Sequence, residues 1–383
     1  MSNTPPRKGR TSTTILILLL VTAAVVSVGT FYLVKNVVGD DFDFHLEASR
    51  TPVQAEAASP VPTQTPAPEP TPEAKTYVIS MVGDCTLASD KNQSHFDSVI
   101  SENGLEWPFS GTIDILSADD FTLANLECSF SDKNLPSSGS TFAFRGKTEY
   151  AQILSLGSVE AVTNGNNHTL DFSEAGEADT RAAVEAVNVG YIGANESQIF
   201  TTESGLKIGV YCPGWRNCTI QGAQEAIPAL REAGADVIIY APHWGQEGKY
   251  HANSEQELVA HTAIESGADI VCGTHPHVMQ RMEEYNGGVI FYSLGNWSFG
   301  GNTAPRDRDT VIAQVTITQE PDGTCHVTGF TLIPCSLSST DGINDYRPTP
   351  YSESDEGFAR AISKLDGTYT GPDLNVDYSF LNG

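Results

Sequence analysis

The chain has 383 residues with a formal net charge of −27, and only 18% of its residues are charged against 39% hydrophobic. Most of it therefore has the composition of a folded protein with a sizeable core. The basic residues before position 36 are Arg7, Lys8, Arg10 and Lys35, with no acid among them, so the rest carries 17 basic against 48 acidic residues, a net −31. That field excludes nucleic acid and anionic lipid headgroups as natural partners of the main body, and a polyanion needs a metal or a local basic patch to approach it.

Residues 1–10 read as a short basic N-terminus. Residues 11–35 follow as a transmembrane anchor: positions 11–34 carry no charge and are long enough to cross a hydrocarbon core as a helix. The flanking Arg7, Lys8 and Arg10 place the N-terminus in the cytoplasm and the rest outside the cell membrane. A cleaved signal peptide is the alternative, with Ser27-Val28-Gly29 as its cleavage site. Residues 36–75 are rich in Pro, Thr, Ala and Glu and form a flexible spacer.

From 76 to 383 apolar, β-branched runs alternate with helical patterns. Strands are expected at 76–84, 121–128, 161–167, 207–213, 236–244, 269–276 and 289–296, with helices at 174–188, 221–233 and 254–267. This alternation specifies an α/β domain. The runs 311–318 and 325–336, joined through Pro321-Asp322-Gly323, read as a hairpin added to the sheet.

Nearly every expected strand ends in a polar cluster. Asp84, Glu127, Asn167-His168, His243, His275-Pro276-His277 and Asn296 all fall there. Ligands of open α/β sheets bind beyond the carboxyl ends of strands. Singly, each residue has an ordinary structural reading, such as a helix cap for Asp84 or a turn for Asn167. Together, two carboxylates, an amide oxygen and three imidazoles form a donor set suited to Mn, Fe or Zn, one ion or two.

Several segments also carry a resemblance. SMVGDCTLA, TLANLECSF, GNNHTLDFSEAGEADT, HWGQEGKY and GADIVCGTHPHVMQRMEEYNGGVIFYSLGNWSF resemble, in order, the motifs of the CapA-type poly-γ-glutamate capsule proteins, the PGA_cap family. That family is similar to calcineurin-like metallophosphoesterases. The resemblance implies a four-layer αββα metallophosphatase-like sandwich and a capsule-biosynthesis role with poly-γ-glutamate and capsule synthase subunits as partners. It also implies residue roles. Asp84 and His277 would hold a first metal, and Glu127 would bridge two. Asn167, His243 and His275 would hold the second. His168 would be the general acid, oriented by Asp171. Four departures stand out. The D-x-H element reads Asp84-Cys85-Thr86, the bridging carboxylate is Glu, and Tyr250 falls two residues late in its motif; GNNH also replaces ANNH. Metal-dependent hydrolysis and a non-catalytic binding role both follow from this pattern.

Of the seven cysteines, Cys212/Cys218 and Cys325/Cys335 are the locally plausible disulfide pairs, while Cys85, Cys128 and Cys272 read as buried thiols. Trp107, Tyr150, Trp215, Trp244 and Trp297 are expected in the core, with a groove-lining role as the alternative, and Arg145 on the surface.

Overall fold

The structure, a computed structural model, describes residues 73–375. The expected membrane anchor and most of the spacer lie outside them. Among the described residues no helix is long and apolar enough to cross a membrane.

Sixteen strands occur among these residues. They are β1 (Lys75–Thr86), β2 (Phe121–Leu126), β3 (Ser129–Phe130), β4 (Arg145–Gly146), β5 (Ala161–Thr163), β6 (Gly190–Ile192), β7 (Glu196–Thr201), β8 (Lys207–Cys212), β9 (Val237–Tyr240), β10 (Ile270–Cys272), β11 (Met282–Tyr285), β12 (Gly288–Phe291), β13 (Asn296–Phe299), β14 (Asp309–Gln319), β15 (Cys325–Ser336) and β16 (Thr349–Pro350). One mixed sheet runs β16-β15-β14-β1-β2-β5-β6, with β13 pairing β1. A second runs β11-β12-β10-β9-β8-β7, and β3 pairs β4.

Strand alternation explains how these sheets pack. Ile79, Met81 and Leu123 of the first sheet share a buried cluster with Ile208, Val210, Ile239, Ile270 and Phe291 of the second, so one core lies between the sheets. On the outer face of the first sheet, Val82, Cys85 and Leu126 pack against Phe96, Ile153 and Val184 of the helices His95–Asn103, Ala151–Leu156 and Ser173–Ala186. On the outer face of the second, Ile238 and Val271 meet Ile227 and Ile264 of the helices Ile220–Glu232 and Ser254–Glu265. The layering is helix, sheet, sheet, helix. The last helix, Glu356–Leu365, lies on β14 and β15 and adds Ala361 and Leu365 to the inter-sheet core.

The expected strands and helices all appear, with two differences. The run 289–296 is two strands, because β12 ends at Phe291 and Asn296 opens β13. All seven cysteines are free, so neither expected pairing forms. Cys325 and Cys335 occupy one strand ten residues apart, which at ~3.3 Å per residue puts them far beyond bonding reach. Cys85, Cys128 and Cys272 are buried as expected.

Candidate metal centre

The same alternation that fills the core also aims the polar residues. On β2 the inward series is Phe121, Leu123, Asn125, and its next member is Glu127, one residue past the strand. On β9 the inward series Val237, Ile239, Ala241 continues to His243. On β1 the pairing with β2 shifts register between Met81 and Asp84. Strict alternation from Met81 would turn Asp84 to the helix side. The irregularity re-aims it inward, as bulges beside functional sites do. Gly83 permits the close approach this needs, since a Cβ there would stand 2.0 Å from the Gly295 carbonyl oxygen.

The structure brings all six expected ligands together. The Glu127 carboxylate is fully buried, and neither of its oxygens has a hydrogen-bond partner of good geometry. Oε1 lies 3.4 Å from His243 Nε2, 3.8 Å from His277 Nε2 and 4.0 Å from His168 Nε2. His277 Nδ1 is 3.3 Å from Asp84 Oδ2. His243 Nε2 lies 2.7 Å from Asn167 Oδ1 and 3.1 Å from His275 Nδ1. Two groups with ligand atoms within 4.8 Å of one another result, Asp84/Glu127/His277 and Glu127/His243/His275, and they share Glu127. A buried carboxylate with no hydrogen bond costs several kcal/mol unless a cation or a proton compensates it. The donor set and the orphaned oxygens therefore fit a divalent ion.

A third such group, Glu247/His275/His277, adds a carboxylate the strand-end pattern did not single out, although it sits in the HWGQEGKY segment. Asn125 was also missed. It donates to Asp84 Oδ1 at 2.8 Å and accepts from Asn166 Nδ2 at 3.2 Å, fixing one ligand and the loop that carries another. Asn296 Oδ1 lies 2.8 Å from His277 Nδ1. His275 and His277 both hold positive φ, 99° and 56°, and the first is a costly conformation kept at a functional loop.

Electrostatics follow from this crowding. Burial alone would raise the Glu127 pKa, but His277 and His243 outweigh it and pull the carboxyl well below its usual range. Burial disfavours the His277 cation, yet Glu127 and Asp84 raise its pKa to about 10. His275 faces mostly desolvation and other imidazoles and falls well below the ordinary value.

His168 stands at the edge of this cluster, with its side chain 12% exposed. Its Nδ1 is 2.8 Å from Asp171 Oδ2, and Asp171 is itself fixed by accepting the Phe144 backbone N–H at 2.8 Å. Burial lowers the His168 pKa, but the Asp171 hydrogen bond and Glu127 more than offset it, leaving a net rise. His168, Asn167 and His277 line a cavity of about 680 Å³. Trp215 lines it too, with its ring centroid 4.2 Å from that of His275. Trp244, Trp297 and Tyr150 are core residues, and Trp107 donates its indole N–H to the Asp345 carbonyl. Arg145 donates to the carbonyls of Lys133 and Leu135, away from the cluster.

The molecule is thus a two-sheet α/β sandwich with a cluster of metal-type donors at its strand ends. Residues 78–300 match the family described as bacterial capsule synthesis protein PGA_cap, and the chain belongs to that family. It is 28% identical over 286 residues to the PGA biosynthesis protein CapA of Bacillus subtilis, covering 67% of this chain and 73% of that one. It is 25% identical over 271 residues to the capsule biosynthesis protein CapA of Bacillus anthracis, covering 63% and 64%. Among solved structures it is similar to the NAD nucleotidase NadN of Haemophilus influenzae, with a TM-score of 0.41, 13% identity, and coverage of 77% of this chain and 56% of that one. It is also similar to the 5'-nucleotidase of Candida albicans, with a TM-score of 0.40, 13% identity, and coverage of 70% and 53%. Scores this low equate no individual positions.

Proposed function

We propose that this is a cell-surface protein of poly-γ-glutamate capsule biosynthesis, tethered by its N-terminal segment, whose strand-end cluster is a divalent-metal hydrolase site. Membership of the family and the capsule-biosynthesis relatives in Bacillus support the capsule role, and the uncharged segment 11–34 behind Arg7, Lys8 and Arg10 supports the tether. One observation carries the chemistry: the buried Glu127 carboxylate, without a hydrogen bond, faces His243, His277 and His168.

In this reading Asp84, Glu127 and His277 hold one ion, and Glu127, Asn167, His243 and His275 hold a second, with Mn, Fe or Zn suited to the donors. Bound there, divalent ions would supply Lewis-acid polarisation and an activated water. His168 is the general acid. Asp171 engages Nδ1, so Nε2 is the nitrogen free to deliver a proton to a leaving group. Against burial, the Asp171 hydrogen bond and the Glu127 charge raise the His168 pKa.

A second reading, a non-catalytic subunit for polymer assembly or export, is favoured by Asp84-Cys85-Thr86, where the phosphoesterase pattern has an imidazole. One comparison separates the two. Full-length His168→Ala is expected to keep wild-type metal content and melting temperature, yet to lose about 10²-fold or more in kcat on phosphodiester or poly-γ-glutamate substrates. Wild-type turnover in this variant removes His168 from the reaction. Absence of turnover in the parent protein, with metal bound, leaves the binding reading.

A further inference from the structure

The cavity over the candidate metal centre differs in charge from the rest of the domain. The chain carries 48 acidic against 21 basic residues, and Arg181, Arg231, Arg281 and Arg360 each meet a carboxylate within 3.1 Å. The other five described arginines have no carboxylate partner; Arg145, Arg308 and Arg347 donate to carbonyl or hydroxyl oxygens, which leaves Arg216 and Arg306. Both line the 680 Å³ cavity beside Asn167, His168 and His277, both are exposed, and neither has an ion-pair partner among the described residues. Arg306 donates one N–H to the Asn375 carbonyl at 2.8 Å.

Each guanidinium stands on a fixed base. Trp215, next to Arg216, packs its ring against His275 and His243, with centroids 4.2 Å and 5.6 Å away. Arg216 itself holds φ 67°, a left-handed conformation uncommon for a non-glycine residue. Asp307, next to Arg306, is 7% exposed and accepts from the Lys364 ammonium at 2.7 and 2.8 Å. Neither guanidinium is tied to a carboxylate: that of Arg216 lies 5.8 Å from the Trp215 ring centroid, and that of Arg306 keeps N–H groups beyond the one that meets Asn375. That combination suits a ligand that supplies anionic oxygens for two-point contact. The carboxylates facing the cavity are Glu247, which also lies in a donor group with His275 and His277, and Asp307, which is neutralised by Lys364.

The shape adds a second observation. A neighbouring cavity of about 540 Å³ shares Asn167, Trp215, Glu247 and Leu374 with the first. A third, of about 270 Å³, shares Trp215 and Arg216. Trp215 lines all three, so the space beside the metal-type donors is arranged around one aromatic ring.

We infer that Arg216 and Arg306 are anion anchors of a substrate groove, which takes a carboxylate-bearing polymer and sets its register over His168 and the donor cluster. This rests on the hydrolase-site reading above and names the side chains that would select its substrate. Local positive charge in an otherwise repelling field concentrates a polyanion at one place on the surface.

The test is binding of fluorescently labelled poly-γ-glutamate to the full-length protein, against two probes: the same polymer with its α-carboxyls amidated, and a polyglycerol phosphate. Wild type is expected to bind the carboxylate polymer at least about tenfold more tightly than the amidated one, the scale of one charged contact. R216Q/R306Q should erase that preference while metal content and melting temperature stay unchanged. If wild type binds only the phosphate polymer, and does so through these arginines, the anchors stand and the poly-γ-glutamate reading falls. Equal affinity of wild type and the double variant for both charged polymers overturns the inference, as does wild-type protein that binds neither.

Discussion

Glu127 is the residue on which the site turns. Its neighbours Cys128 and Leu126 point to the helix side and are packed in apolar surroundings, so the carboxylate alone of this segment faces the imidazoles. Replacing it by Gln keeps the volume and removes the charge that both donor groups share. Glu127→Gln is therefore expected to lower bound divalent metal, measured by elemental analysis, and to abolish the loss of melting temperature that a chelator causes in wild type. A site filled at 100 times its Kd contributes about 2.7 kcal/mol through linkage, so the wild-type chelator effect should be several degrees. Equal metal content in the two proteins would show that the cluster is held by protein hydrogen bonds and protons instead. Glu247 and Asn125, by contrast, were not legible as site residues. Glu247 lies in a loop rather than at a strand end, and Asn125 earns its place only through partners on β1 and in the loop after β5. Such contacts are tertiary, and no local spacing announces them.

At the scale of elements, the strands that the sequence made legible are the buried ones. β1, β2, β8 and β9 are flanked on both sides within their sheets and read as continuous apolar runs, which is what burial on both faces requires. The edge strand β7, with its mixed burial, and the three-residue β6 left no such signature. The helix Glu356–Leu365 is absent from the expected helices although Phe358, Ala361, Ile362 and Leu365 repeat at helical spacing, and its buried face also takes in a charge. Lys364 is 2% exposed and donates to Asp307 and Asp309, while Arg360 grips Asp309 through two N–H groups at 2.7 Å. Removing the ammonium leaves two buried carboxylates short of charge, and Lys364→Met should cost about 3–5 kcal/mol in denaturant unfolding. The pH dependence follows in sign. Burial tends to raise the Asp309 pKa, but Arg360 and Lys364 outweigh it and hold it below the ordinary carboxylate value. A folded-state pKa below the unfolded one contributes stability above about pH 4 that is lost as pH falls through the folded value. In the Met variant Asp309 should protonate at higher pH, so acid unfolding should begin earlier on the way down. An unchanged acid midpoint would mean that Arg360 alone sets the charge of Asp309.

For the whole molecule the question is where the domain works. The segment 11–34 is 24 residues without charge, and as a helix it would span roughly 36 Å at 1.5 Å per residue, enough for a hydrocarbon core of about 30 Å. The spacer 36–75 adds 40 residues of chain between that segment and the domain. That length matters for a domain which, from residue 76 on, has 15 basic against 41 acidic residues, a net −26, and which anionic headgroups therefore repel. The expected arrangement is a domain outside the cytoplasmic membrane, and protease added to intact, wall-stripped cells should cut the Pro/Thr spacer and release a soluble fragment that starts shortly before Lys75. The released fragment should retain the metal content and melting temperature of the full chain, because none of the donor residues lies before Asp84. Protection of the domain until the cells are lysed would place it on the cytoplasmic side. A domain found in the medium without added protease, with a new N-terminus near Gly29, would show that the apolar segment is a cleaved signal rather than an anchor.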